Sequence, residues 1–173
     1  ACPNWHILKI LRYTTDSRRY CVRIHGIEFK GNDDKSVTEK LKKCFSDMNL
    51  TYDSNNIDRA HYIGKEYINK QNKKVKSIIV RFRSWNSRVA FYKARPKYLK
   101  KVEPGSKSPK FSVSTDLTKR RYNLLKVAKE KVKDNPHVDY VYSDINCSLA
   151  IRFKDESFAF FNDIDDLDNL IVI

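Results

Sequence analysis

Ten arginines sit where a polyanion would be gripped. Arg18 and Arg19 precede the first predicted strand, Arg23 lies on it, Arg59 on the second, and Arg81 and Arg83 on the third. Arg88 and Arg95 lie on the helix that follows, and Arg120 and Arg121 open a later helix together with Lys119. A guanidinium is always charged and carries five N–H donors in a planar fork that matches a phosphate, so this set suits backbone contacts to nucleic acid. Basic residues in a first helical turn oppose the helix dipole, so local stability gives no reason for the Lys119–Arg121 trio. Plainer readings stand beside each of these. Arg23 and Arg81 are candidates for pairing with a neighbouring carboxylate, and Arg18, Arg19, Arg88 and Arg95 for ordinary solvated surface.

Other chemistry finds less support. A metal-dependent nuclease needs carboxylates gathered around its ions. The dense acids here, Asp163, Asp165, Asp166 and Asp168, read more simply as a solvated helix face. Cys2, Cys21, Cys44 and Cys147 show no CxxC spacing and no paired histidine, which argues against a zinc site. Cys21, Cys44 and Cys147 fall in apolar-patterned segments and read as small buried hydrophobes. His6, His25, His61 and His137 are scattered. The expectation is therefore a protein that is not an enzyme, with no catalytic residues, no metal and no cofactor.

Charge and its placement agree with a polyanion partner. Across 173 residues, 35 Lys and Arg stand against 21 Asp and Glu, a net charge of +14. Residues 1–154 carry +20 and the last 19 carry −6. A hydrophobic content of 40%, with 12% aromatics, is enough for a packed core and excludes wholesale disorder. No apolar run approaches the ~18 residues a membrane span needs, so no membrane association is expected. The start, Ala-Cys-Pro-Asn-Trp-His, has neither Met nor a signal-peptide core and reads as a fragment of a longer chain. Few cysteines and no secretion signal point to a reducing compartment.

These residues need elements to position them. Residues 7–13 read as the end of an upstream helix, and 20–27 alternate as a half-buried strand. After a turn at 31–34, Ser36 and Glu39 fit a capping box opening a helix whose apolar face is Val37, Leu41, Cys44, Phe45 and Met48. A strand at 57–63, a lysine-rich hairpin loop at 64–76 and a strand at 77–83 follow. Ser84 is placed to cap a helix that runs to about Ala94 and stops at Arg95-Pro96. A basic loop over 97–110 then leads to a short strand at 111–114. That order predicts an α+β chain whose first domain is a ferredoxin-like βαββαβ fold of the RNA-recognition-motif type. Beyond it come a helix at 117–134, strands at 138–142, 148–153 and 158–161, and a short acidic helix capped by Asn162 or Asp163. This is a small αβββα C-terminal domain. The divisions are an N-terminal extension at 1–16, the recognition-motif domain at 17–116 and the C-terminal domain at 117–173.

On a typical RNA-recognition sheet the first and third strands present aromatics that stack on bases. Here the outward positions hold Arg23, Ile79, Arg81 and Arg83, and the usual aromatic pattern is absent. Arg59 and His61 share a parity on the second strand. Trp85, Phe91, Phe111 and Phe158 are assigned to cores, and Tyr20, Tyr62, Tyr92 and Tyr98 are the candidates for stacking. Binding of this kind is expected to be strong in phosphate contacts, weak in sequence discrimination and steep in salt.

Residues 17–26 (SRRYCVRIHG), 57–64 (IDRAHYIG), 78–82 (IIVRF) and 112–118 (SVSTDLT) occur together in an order and spacing that resembles a known family. It is the nucleic-acid-binding protein encoded by the first open reading frame of LINE-type, non-LTR retrotransposons. The chain is also similar to the related few-polyhedra (FP) proteins of baculoviruses and insects. The resemblance covers about residues 17–170. It implies an atypical RNA-recognition motif and a small C-terminal domain that together hold single-stranded RNA, with single-stranded DNA and nucleic-acid chaperone activity as extensions. It further implies ribonucleoprotein particles in the cytoplasm or nucleus, and a homo-oligomer built by an upstream coiled coil; this chain shows no such heptad repeat. By motif, Arg18, Arg19, Arg59, Arg81, Arg88, Arg95, Arg120 and Arg121 fall on the family's basic positions. The alternative is an FP-like protein-interaction module in which the basic charge is incidental.

Overall fold

The computed structural model describes residues 18–29, 34–69, 72–100 and 111–171, the side chains of 34–36 and 96–100 excepted. The chain is α+β, with two antiparallel sheets, and divides into two units. One is Tyr20–Asp116; the other runs from Leu117 and includes Arg18 and Arg19.

The first unit contains β1 (Cys21–Glu28), α1 (Asp34–Asp47), β2 (Ile57–Ile68), β3 (Lys74–Phe82), α2 (Trp85–Lys100) and β4 (Ser112–Thr115). Its sheet has the order β2-β3-β1-β4, so β1 sits between β3 and β4. Val22, Ile24, Ile78, Val80, Phe82 and Val113 are buried, as are Val37, Leu41, Cys44, Phe45 and Met48 of α1. Phe45 of α1 and Phe91 of α2 both meet Phe82, at ring-centroid distances of 6.4 and 5.4 Å, so both helices cover the same face of the sheet. The alternation along each strand sends the remaining side chains to the other face. Gly26, at φ +81°, lies where the β1–β3 register shifts between Ile24 and Ile27. The bulge turns Ile27 back into the core, where it is buried.

Several boundaries differ from the sequence reading. The segment taken as a lysine-rich loop from 64 is mostly strand, because β2 extends to Ile68 and β3 begins at Lys74. Burial of Val75 and a Glu66–Lys74 ion pair of 2.7 Å hold that extension together. Helix α1 starts at Asp34, so Ser36 lies within it and is not its cap. Ser84 does cap α2, its Oγ accepting from the Ser87 amide at 3.1 Å. That helix continues through Pro96 to Lys100, further than the proline rule suggested. Residues 7–13, the 31–33 part of the turn and 101–110 lie outside the described residues.

The second unit contains α3 (Lys119–Lys131), β5 (Val138–Ser143), β6 (Leu149–Phe153), β7 (Phe158–Phe161) and α4 (Ile164–Ile171), with sheet order β5-β6-β7. Thr118 caps α3 by accepting from the Arg121 amide at 3.3 Å, and Asp163 caps α4 by accepting from the Asp166 amide at 2.8 Å. Ala128, Val132, Val141, Leu149, Ile151, Phe161 and Leu167 form its core, with Leu124, Leu125 and Leu170 packed against them. An ion pair between Lys131 and Asp168 ties the two helices.

Candidate nucleic-acid interface

The face of the four-stranded sheet turned away from α1 and α2 gathers much of the arginine set. Register places Arg59 opposite Arg81, His61 opposite Ile79, Ile79 opposite Arg23, and Arg23 opposite Ser114. Cross-strand partners point to the same side, so Arg23, Arg59, Arg81 and His61 share one surface. Arg59 and His61 are exposed, and the side chains of Arg23 and Arg81 each keep about 35% of their surface. No aromatic ring stands on this face of β1 or β3.

Carboxylates reach two of these arginines. Arg23 Nε donates to Oδ1 of buried Asp116 at 2.6 Å, and Arg81 Nε lies 3.5 Å from Oδ2 of exposed Asp58. Arg59 makes no ion pair or hydrogen bond among the described residues. Like charges directly across a ladder destabilise a sheet, so the Arg59–Arg81 juxtaposition has no structural motive of its own.

His25 completes the face. Its two ring nitrogens sit 3.0 Å from Ser77 Oγ and 2.8 Å from Ser114 Oγ. Burial, and secondarily the charge of Arg23, hold its pKa below the ordinary 6.5, so the ring is neutral at physiological pH. A neutral imidazole donates through one nitrogen and accepts through the other, and a serine hydroxyl serves either role.

The remaining predicted residues separate by exposure. Arg83 is exposed just beyond the end of β3, its Nε donating to the Ile57 carbonyl at 3.2 Å. Arg19 and Arg120 are exposed. Arg18 is half-buried and belongs to the second unit, its Nη1 donating to the Leu117 carbonyl at 3.1 Å. Arg95 lies over Tyr92 at 4.1 Å and donates to the Val113 carbonyl. Arg121 donates to the Cys147 carbonyl, tying α3 to the β5–β6 turn. This bond supplies the local role that its place in a first helical turn left unexplained.

Arg88 requires a correction. It is completely buried between Trp85 and Tyr92, at 5.0 and 5.2 Å from their ring centroids, and offers nothing to a phosphate. Its amphipathic stem and planar head suit packing among aromatics, a role the sequence does not distinguish from surface charge. Tyr92 is likewise buried and unavailable for stacking, while Tyr98 lies outside the described side chains. Tyr20, 38% exposed, rests edge-on against Trp85, and Tyr62 edge-on against Phe29.

Phe158 is the opposite case. Assigned to a core from sequence, it is 55% exposed, alongside Phe160 at 54% and Tyr140 at 52%. The signal was present as period-two spacing, Tyr140-x-Tyr142 and Phe158-x-Phe160. It was masked because the intervening Val141, Ala159 and Phe161 are apolar too, which makes both faces look like interior.

Compared with known proteins, the chain matches no family model, no curated protein and no solved structure.

Proposed function

We propose that this chain is a non-enzymatic module that binds single-stranded RNA chiefly through its phosphates, with little sequence preference. The observation that carries the reading is the open sheet face on which Arg59 stands opposite Arg81, beside Arg23. A sheet that tolerates facing guanidinium groups is relieved when an anion lies between them. Asp116 occupies Arg23 through Nε alone, one of five N–H donors, and so orients that side chain without exhausting it. Arg19, Arg83 and Arg120 add exposed charge, and the lysines of the first unit add general attraction.

The strand order β2-β3-β1-β4, with both helices on one face, supports reading the first unit as a ferredoxin-like RNA-recognition motif of atypical kind. Its bare, arginine-bearing face then does with guanidinium groups what aromatic rings do in typical members. The resemblance to the LINE first-open-reading-frame proteins supports the same conclusion. It places the chain in a retrotransposon ribonucleoprotein particle.

Fluorescence anisotropy with a labelled single-stranded RNA across a salt series tests this. The expected result is a clearly negative slope of log affinity against log salt, with single-stranded DNA bound and duplex bound less well. Absence of binding even at low salt refutes the reading and favours a protein-interaction module.

A further inference from the structure

The second unit carries a different surface. In its sheet, Tyr140 stands opposite Arg152 and Arg152 opposite Phe158; on the next rung Tyr142 stands opposite Ala150 and Ala150 opposite Phe160. Partners in register share a face, so these six residues form one patch. The opposite face, with Val141, Ile151 and Phe161, is sealed in the core with α3 and α4. Tyr140, Phe158 and Phe160 are each more than half exposed, whereas Ala150 between the two aromatic strands is fully buried. The patch is therefore two aromatic ridges about 10 Å apart, on either side of a low middle strand. The rings pair within each ridge, Tyr140 with Tyr142 at 5.4 Å and Phe158 with Phe160 at 5.7 Å. Arg152 rises between them.

Charge identifies the occupant. Residues 117–173 hold nine Lys and Arg against ten Asp and Glu, while residues 1–116 hold 26 against 11. The near-neutral unit is poorly suited to attract phosphates in general, yet it displays exposed planar rings around one guanidinium. A protein-docking surface of this kind would be expected to keep charge out of its centre, where Arg152 sits. Flat rings around a guanidinium match a single strand, whose unpaired bases offer π-faces and whose linking phosphates offer negative charge.

We propose that this face is a stacking platform for unpaired bases of single-stranded RNA. Tyr140, Tyr142, Phe158 and Phe160 provide the rings, and Arg152 meets a phosphate between stacked bases. The inference rests on the RNA-binding reading above and adds a base-dependent component to it. Phosphate attraction and base stacking are then divided between the two units.

The test uses the whole chain and two labelled probes of equal length, an oligouridylate and its abasic counterpart. Changing Phe158 and Phe160 together to Ala is expected to weaken oligouridylate binding about tenfold or more. The salt slope and the affinity for the abasic probe are expected to stay unchanged. In the unaltered protein, 5-iodouridine RNA is expected to photocrosslink to the peptides bearing residues 140–142 and 158–160, a readout independent of how the variant folds. If the unaltered protein binds neither probe, the RNA-binding reading itself fails and this inference falls with it. If it binds but the variant binds equally well, or loses both probes alike, or crosslinks fall only elsewhere, the platform is overturned while RNA binding stands. A variant that changes oligomeric state with RNA affinity intact marks the face as a contact between copies, and also overturns the proposal.

Discussion

Arg23 and Asp116 lie 93 residues apart in sequence and meet at 2.6 Å, the carboxylate buried and the guanidinium on the open face of the sheet. The pair fixes the last residue of the first unit to its first strand, and it aims Arg23 across the surface on which Arg59 and Arg81 also stand. Removing the carboxylate therefore separates two effects. Asp116→Ala is expected to cost roughly 1–3 kcal/mol in urea unfolding. Asp116→Asn keeps the shape, removes one negative charge from the face, and is expected to bind single-stranded RNA more tightly, with a steeper salt slope. Weaker RNA binding by a folded Asp116→Asn protein would show that the pair, and not the free guanidinium charge, is what the ligand needs.

Arg59 is exposed and unshared, so its replacement tests charge without disturbing packing. Arg59→Ala is expected to lower RNA affinity and flatten the log–log salt slope by roughly 0.7. Relief of repulsion from Arg81 is expected to leave unfolding stability unchanged or raised by up to about 0.5 kcal/mol. An unaltered salt slope would remove Arg59 from the interface.

Arg120 and Arg121 are neighbours with different duties. Arg121 is bonded to the Cys147 carbonyl, so Arg121→Ala is expected to destabilise the second unit by about 1 kcal/mol. Arg120 is exposed, and Arg120→Ala is expected to shift stability by less than about 0.5 kcal/mol while weakening RNA binding. Chemical denaturation and anisotropy on the two single variants distinguish these roles, which the double variant would merge.

His25 gives the fold an acid-sensitive point. Its pKa in the folded chain is depressed below the 6.5 of the unfolded one, by burial first and by Arg23 second. Its stabilising contribution is therefore complete above the unfolded value and is lost as pH falls through the folded one. The thermal midpoint is expected to drop between about pH 7 and about pH 5, and His25→Gln is expected to reduce that drop. An identical pH profile in the variant would place the acid sensitivity elsewhere.

Much of the fold was legible because it rests on local periodicity. The apolar face from Val37 to Met48, the alternation of Val22 and Ile24, and the caps at Ser84 and Asp163 are all properties of neighbouring residues. The extension of β2 and β3 was not, because Glu66 and Lys74 count as loop charge until they face each other across a ladder. Among the site residues, the placement of Arg59 with Arg81 followed from strand parity and registration. The burial of Arg88 did not, since Trp85 and Tyr92 enclose it only once the helix is packed.

The sequence by itself determined the α+β class, the excess of basic charge in the first 154 residues, and which side chains alternate along each strand. Periodicity and charge are additive along the chain and need no partner to be read. Only the tertiary structure decided which arginines are spent, on Asp116, Asp58 and the Cys147 carbonyl, and which remain exposed. It also decided that the second sheet is covered on one side alone, so that Phe158 and Tyr140 face water. Burial and pairing depend on what stands across the sheet, and that relation is absent from any local stretch of residues.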